Sequence, residues 1–268
     1  MRDRLQLIRE VWLAFSADNG FLLGAAVSFY AFLSLFPLLL LVVGVLGFVL
    51  GSPEHAEALL THVLGSFVVS PNTMDMLRDV MHGRSAATGI GLAVLIWSGT
   101  SALVVLEQAM NLAWRATERR SYVKRRAIAL LMLVVGGVLV ALSLGLTAMI
   151  HAIAAIDSPL ASRLSTLWRL LAYPIPAIAS VMLFALMYKL LPYARVTWRA
   201  ALVGGLFAGI LWEIAKHAFA LYVLHWAGYS RVYGSLASVI LLMVWIDYSS
   251  TIAILGAEFA SAWAKRRS

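Results

Sequence analysis

Cysteine is absent from the 268-residue sequence. Its absence excludes a disulfide framework, a thiol nucleophile and a thiolate metal site. Charged residues are also scarce, at 13% of the chain, against about 25% in soluble domains. Hydrophobic residues reach 62%, against about 45–50% in soluble domains. The composition therefore indicates a membrane protein.

Recognisable catalytic and nucleotide-binding motifs are missing as well. The six histidines show no H-E-x-x-H spacing, no serine stands in G-x-S-x-G, and no P-loop or dinucleotide fingerprint occurs. His55 and His62 fall on one face of a predicted helix, but two ligands without a third do not make a metal site. The sequence therefore predicts a protein that is not an enzyme and that binds no cofactor or metal.

The hydrophobic residues form long blocks without the alternation of β-strands. About 20 mainly apolar residues span the roughly 30 Å hydrocarbon core of a bilayer, where the backbone must satisfy its own hydrogen bonds. We therefore predict an all-α polytopic membrane protein whose residues 1–268 form a single domain. Its six transmembrane helices are predicted at 20–50, 86–114, 127–153, 167–191, 200–224 and 236–264.

Basic residues indicate the direction of these helices, because Lys and Arg accumulate in cytoplasmic loops. With the N-terminus inside, 15 of the 21 basic residues fall on the inner side, namely Arg2, Arg4, Arg9, Arg115, Arg119, Arg120, Lys124, Arg125, Arg126, Lys189, Arg195, Arg199, Lys265, Arg266 and Arg267. This segregation predicts that both termini are cytoplasmic. The net charge of +8 is then mainly a signal of topology, since nucleic-acid binding would need exposed aromatics or a known binding module.

Two segments outside the spans are amphipathic. Residues 1–19 carry apolar side chains at helical spacing, which predicts a cytoplasmic helix lying in the membrane interface. The outer loop 51–85 contains Ser-Pro at Ser52 and again at Ser70, a pair typical of helix starts. We therefore predict two short amphipathic helices in this loop.

Small residues predict which helix faces pack, because close approach of backbones drives association in a bilayer. They recur at four-residue intervals in the first and fifth spans, and a proline in the first span permits a hinge. The predicted packing and hinge residues are Gly24, Ser28, Pro37, Gly205 and Gly209.

Polar residues within the spans are the candidate site residues, since a charge at the bilayer centre costs about 2.5–3.5 kcal/mol. Their helix positions define two layers, a central one with Glu213, Lys216, His217 and Asp247 and an inner one with Glu107, Asn111 and Glu258. We predict that these residues line a substrate or ion pathway. The residues predicted to contact anionic lipid are those of the basic inner loop, Arg115, Arg119, Arg120, Lys124, Arg125 and Arg126.

A structural role is an open alternative for the same residues. Glu213 and Lys216 are spaced i,i+3 and can neutralise each other within one helix. Glu107 and Glu258 can be partly solvated groups that face basic loop residues. Asp247 has no opposite charge on its own helix, so it meets Lys216, is protonated or lines water.

The sequence also contains four stretches that are specific in combination: "SFYAFLSLFPLLL", "EQAMNLAWR", "YKLLPYARVTWRAALVGGLFAGILWEIAKHAFALYV" and "YGSLASVILLMVWIDYSSTIAILGAEF". Together they resemble the YihY/BrkB family of bacterial inner-membrane proteins, through nearly the whole chain. The resemblance implies a six-helix protein of the cell envelope, with lipid or lipopolysaccharide handling among its proposed activities. The family's older label, ribonuclease BN, has no support here, because these residues offer no hydrophilic acidic cluster for metals and RNA.

The family pattern that the resemblance implies covers Ser34, Pro37, Asn111, Trp114, Arg115, Pro192, Glu213, Lys216, Tyr233, Gly234, Gly256 and Glu258. Asp247 departs from it, because the resemblance leads us to expect an aromatic or apolar residue at that position. A role for Asp247 is therefore either particular to this protein or a minor variation of the family pattern.

Two functions of different classes follow. The first is a transporter or flippase-like protein for a lipid or a lipid-linked envelope component, with the buried charges as its polar pathway. The second is a structural or scaffold membrane protein whose basic loops bind partners or anionic lipid. Both predict a multi-pass protein of the bacterial inner membrane, with lipids, envelope proteins or further copies of the chain as partners and no nucleic acid.

Overall fold

The structure, a computed structural model, describes residues 2–34, 85–117, 120–154, 174–225 and 236–267. Within these ranges it has seven helices and no strand, which confirms the all-α fold. The helices are α1 (Arg2–Ala17), α2 (Gly20–Ser34), α3 (Ser85–Ala113), α4 (Tyr122–Ala154), α5 (Pro174–Leu190), α6 (Trp198–His225) and α7 (Leu236–Lys265). The predicted outer-loop helices, the hinge at Pro37 and the side chain of Arg119 lie outside the described residues.

Two of these helices are long and apolar enough to cross a membrane, over Trp198–Val223 and Val239–Lys265. At 1.5 Å per residue each is about 40 Å long, which exceeds the roughly 30 Å hydrocarbon core. The pair α1 and α2 would add a third span if it is counted as one bent helix. The described part of the chain therefore has two clear candidate spans.

The junction of α1 and α2 bends the chain by 62°. Asn19 adopts a left-handed conformation with φ 55°, which asparagine tolerates better than most residues. Its backbone oxygen accepts a hydrogen bond from Leu23 N at 3.0 Å and so begins α2. At Gly20 a Cβ would collide with the Phe15 ring, so the turn requires a residue without a side chain.

Helix α4 begins at Tyr122, five residues before the predicted start of the third span. The backbone N–H of Arg125 donates to the Ser121 oxygen at 3.0 Å, which closes the first turn. Arg125 and Arg126 are therefore helical residues rather than loop residues. Their guanidinium groups find partners on α3, which explains how basic side chains can stand at the start of a packed helix.

Helix α6 packs on α5 and α7, while α3 packs on α4 and α7. Small residues permit the close approach. A Cβ at Gly205 would lie 2.7 Å from the Val181 oxygen and 2.8 Å from the Ala185 Cβ. A Cβ at Gly204 would lie 2.6 Å from the Ala260 Cβ. These glycines bring α6 against both neighbours without a gap.

The outside of α6 is apolar. Leu202, Leu206, Ile210 and Ile214 recur every four residues and are 42–60% exposed. A stripe of this size in contact with water would be unfavourable by about 25 cal/mol per Å² of apolar surface. Its exposure is consistent with lipid as the surrounding medium.

Candidate functional site

The central pair predicted on α6 forms an ion pair within that helix. Lys216 Nζ lies 2.7 Å from Glu213 Oε1, and the side chains are 34% and 29% exposed. His217 is exposed, and its Nδ1 lies 2.8 Å from the backbone oxygen of Glu213. The local i,i+3 pairing is the arrangement of the structural alternative.

Asp247 on α7 contacts α2 instead of this pair. Its Oδ1 accepts a hydrogen bond from Ser28 Oγ at 3.2 Å. The same hydroxyl lies 2.7 Å from the Gly24 oxygen, and a Cβ at Gly24 would lie 2.8 Å from Thr251 Oγ1. Among the described residues, Asp247 thus joins α2 to α7 and does not pair with Lys216.

Glu107 is a buried charge of the inner layer, on α3. Its Oε2 lies 3.5 Å from Arg125 Nε, and its Oε1 lies 3.9 Å from Arg120 Nη1. Arg125 also donates from Nη2 to the Val104 oxygen at 3.4 Å. One buried carboxylate on α3 therefore contacts two guanidinium groups. Arg120 belongs to the segment between α3 and α4, and Arg125 belongs to α4.

Arg120 caps the C-terminal end of α5. It donates from Nη1 to the oxygens of Leu190 and Leu191 at 3.2 and 3.0 Å, and from Nη2 to the Pro192 oxygen at 2.8 Å. The last carbonyls of a helix lack partners within the helix and carry partial negative charge. The cation satisfies them, and it lies 5.0 Å above the centre of the Tyr193 ring.

The chain leaves α3 through a tight turn at Arg115, which has φ 51°. Arg115 N donates to the Leu112 oxygen and Ala116 N to the Asn111 oxygen, both at 2.9 Å, the pattern of a Schellman motif. Glycine usually occupies this left-handed position, which costs other residues about 1–2 kcal/mol. Asn111 Oδ1 also accepts a hydrogen bond from Tyr193 N at 2.7 Å.

The side chain of Arg115 reaches the junction of α1 and α2. Its Nη1 lies 3.1 Å from Asp18 Oδ1, and the Asp18 side chain is only 8% exposed. Glu258, buried on α7, interacts with the same Asp18 and is attracted by Arg115 and Lys265. The ends of α1, α3 and α7 are thus connected through charged groups.

These contacts surround an open cleft of about 740 Å³ at the end of the bundle where α3 ends and α4 begins. Its described wall contains three guanidinium groups and no carboxylate, and the paired carboxylates Glu107 and Asp18 are nearly buried, with side chains 2% and 8% exposed. The cleft is lined by Gln108, Asn111, Leu112, Arg115, Ala116, Thr117, Arg120, Arg125 and Tyr193. Its volume falls within the range of about 300–1,000 Å³ that is typical of ligand pockets.

The arginines make the wall of the cleft positively charged, and some of their N–H donors have no acceptor among the described residues. A guanidinium has five N–H donors, and no described residue accepts a hydrogen bond from Arg125 Nη1 or from Arg115 Nη2. Burial, and then the negative charge of Glu107, raise the pKa of the Tyr193 hydroxyl above its ordinary value. The hydroxyl interacts with the Glu107 carboxylate. The cleft is suited to an anion such as a phosphate group.

The structure brings Glu107, Asn111 and the basic residues Arg115, Arg120 and Arg125 into one neighbourhood. Glu213, Lys216, His217 and Asp247 lie elsewhere on α6 and α7. Lys124 is exposed on α4, two residues before Arg126.

Sequence reasoning missed several residues of the site. Asp18 stands in the short break between the amphipathic α1 and the apolar α2, and Tyr193 follows the end of the apolar α5 at Leu190. A charged or aromatic residue at such a helix boundary was the available signal. Gln108 and Thr117 are exposed polar residues with no pattern to distinguish them.

The long apolar helices, with apolar side chains exposed on the outside of α6, define an α-helical membrane protein. The chain belongs to the family described as Virulence factor BrkB, whose model matches residues 11–268. The resemblance to the YihY/BrkB family is therefore confirmed.

Curated relatives carry the name UPF0761 membrane protein. The relative from Aeromonas salmonicida (strain A449) is 28% identical over 92% of this chain and 85% of its own length. Those from Azotobacter vinelandii (strain DJ / ATCC BAA-1303) and Xanthomonas oryzae pv. oryzae (strain PXO99A) are each 30% identical. This chain spans 62% and 63% of the length of these two proteins. No solved structure shows significant similarity to the chain.

Proposed function

We propose that this protein is a six-helix protein of the bacterial inner membrane, with both termini in the cytoplasm, that moves a lipid or a lipid-linked envelope precursor. The arginine-lined cleft at the inner end of the bundle is the observation that carries the proposal. In the proposed topology it opens at the cytoplasmic edge, where the headgroup of an inner-leaflet lipid lies. An anionic headgroup would bind there before the lipid moves.

The geometry supports this role in two further ways. The three arginines of the wall are held by contacts behind them, so their remaining donors keep a fixed direction and little entropy is lost on binding. Arg115 also has a left-handed backbone conformation. That conformation is unfavourable for a residue with a side chain, whereas glycine adopts it freely. The cationic side chain at the rim of the cleft thus has a role that glycine could not supply.

A reconstituted translocation assay with fluorescently labelled anionic phospholipid tests the proposal. Gln108→Trp and Thr117→Trp would fill the cleft from exposed positions, and each is expected to slow translocation at least tenfold. Ser16→Trp on α1 is a control of the same size, because Ser16 is exposed and does not line the cleft. Rates within twofold of the parent protein in both cleft variants would refute the role of the cleft.

A scaffold protein is the second candidate, and the Glu213–Lys216 ion pair favours it. Because these charges neutralise each other on one helix, they can fix the bundle without meeting a substrate. Glu213→Gln combined with Lys216→Met removes both charges and leaves no unpaired partner. If the parent protein does not accelerate translocation over protein-free vesicles, the transporter proposal fails and the scaffold is supported. If the double variant transports lipid at the normal rate, Glu213 and Lys216 are not part of the transport pathway.

A further inference from the structure

Arg126 occupies a second basic site, away from the cleft, in the seam between α3 and α4. Its Nη1 donates to the Trp97 oxygen at 2.8 Å, to Thr100 Oγ1 at 2.6 Å and to Ser101 Oγ at 3.1 Å. Its Nε donates to the Tyr122 hydroxyl at 3.2 Å. All of these partners are neutral, so the positive charge is held in place but is not neutralised by them.

No carboxylate among the described residues forms an ion pair with Arg126. The Nη2 group has no acceptor there, and the Tyr122 hydroxyl, which accepts from Nε, keeps its own proton for another acceptor. Arginine side chains near helix ends reach the membrane interface, where lipid headgroups lie. Two donors and one uncompensated cation thus remain available at the seam, which is the chemistry that recognises a phosphate.

Aromatic rings mark the position of this cation. The Trp97 and Tyr122 rings lie 5.5 and 5.4 Å from the guanidinium, measured to the ring centres. Both side chains are exposed, at 51% and 62%. Tryptophan and tyrosine are enriched at the level of lipid headgroups. Arg126 therefore stands where the phosphate of a phospholipid would lie.

An apolar surface for acyl chains continues from Arg126 along α4. With 3.6 residues per turn, Leu130, Val134 and Gly137 point to within about a quarter turn of Arg126. Leu130 and Val134 are 38% and 55% exposed. No described atom outside the helix lies within 4 Å of a Cβ built at Gly136 or Gly137. This surface extends roughly 16 Å from Arg126, about the length of an acyl chain in one leaflet.

We propose that the seam between α3 and α4 binds an anionic phospholipid, with its phosphate at Arg126 and Tyr122 and an acyl chain along Leu130, Val134 and Gly137. Arg126 does not line the cleft, so this site does not depend on the transport proposal. It would hold a lipid at the protein surface whether or not the protein moves lipids.

Native mass spectrometry of the full chain in detergent, titrated with dioleoyl phosphatidylglycerol or dioleoyl phosphatidylcholine, tests this site. We expect phosphatidylglycerol to bind at least tenfold more tightly than phosphatidylcholine. Arg126→Gln should weaken phosphatidylglycerol binding at least fivefold, and Arg126→Lys should restore part of it. Lys124→Gln is the matched control, since it removes one exposed positive charge from the same helical turn and should change affinity less than twofold.

Two further arms separate a lipid site from a simple anion site. Gly137→Leu keeps every charge and fills the open space, so it should weaken long-chain phosphatidylglycerol but leave binding of inorganic phosphate unchanged. Gly137→Leu also tests the proposed lipid site if the Arg126→Gln protein does not fold. Equal effects of Arg126→Gln and Lys124→Gln, equal affinities for the two lipids, or inorganic phosphate binding as tightly as phosphatidylglycerol would each overturn the proposal.

Discussion

At the scale of single residues, Glu107 is a charge of the inner layer that contacts two arginines. It is buried, whereas its partners Arg120 and Arg125 have side chains that are each 21% exposed. Arg120 in turn caps α5, and Arg125 stands in the first turn of α4. The carboxylate on α3 therefore fixes the ends of two other helices, and its loss would leave two guanidinium groups without their counter-charge.

We predict that Glu107→Ala lowers the free energy of unfolding by about 3–5 kcal/mol, the range found when one partner of a buried ion pair is removed. The measurement is thermal or denaturant unfolding of the purified protein in detergent. Glu10→Gln is the comparison, because the Glu10–Arg266 pair has side chains 57% and 33% exposed and such surface pairs contribute about 0–1 kcal/mol. Similar losses in both variants would show that Glu107 is not a structural anchor.

At the scale of helices, packing in this protein depends on where glycines meet a neighbour. Gly205 faces the backbone of α5, with the Val181 oxygen at 2.7 Å from a Cβ built there. Gly136 lies on α4 with no described atom within 4 Å of the equivalent position. Glycine therefore permits close helix packing at Gly205, whereas at Gly136 it makes no such packing contact with a described residue.

Gly205→Ala should destabilise the protein by about 1–3 kcal/mol, because α5 and α6 must separate to admit a methyl group. Gly136→Ala should stabilise it by about 0.5–1 kcal/mol, since alanine loses less conformational freedom in a helix. The free energy of unfolding of both variants in one detergent checks this pair. A Gly205→Ala protein as stable as the parent would contradict the close packing of α5 and α6.

Helix positions were largely predictable, and the exact ends were not. Long apolar runs fix α3, α6 and α7 to within about two residues, because only a helix satisfies the backbone in lipid. The apolar pattern predicts the start of α4 five residues late, because Arg125 and Arg126 resemble loop residues. Their partners on α3 lie 18 to 29 positions away in sequence, so no local pattern reveals them.

At the scale of the whole molecule, the orientation in the membrane is the main prediction, and it rests on the placement of basic residues. The absence of cysteine makes it directly testable, because any introduced thiol is unique. Arg195→Cys, in the segment between α5 and α6, should react with a membrane-impermeant maleimide only from the cytoplasmic side. Thr73→Cys, in the predicted outer loop, should react only from the opposite side. Labelling of both from one side would refute the six-span arrangement.

The candidate site shows where sequence reasoning ends. Counting residues along the helices places Glu213 and Asp247 at the same depth, which predicts one central cluster with Lys216. In the structure Asp247 meets Ser28 on α2, while Lys216 pairs with Glu213 on α6. Depth follows from counting residues along a helix, but the partner depends on how each helix is rotated and which helix lies beside it.

The sequence by itself determined that this chain is an α-helical membrane protein of the BrkB family, because composition, apolar runs and motifs are local properties. It also singled out Glu107, Asn111 and the basic loop, since polar residues are costly next to lipid. Only the tertiary structure decided that three of those arginines form the wall of one cleft and that Arg126 stands apart in the seam of α3 and α4. Those arrangements depend on contacts between distant helices, whose geometry is set by the packing of the whole bundle.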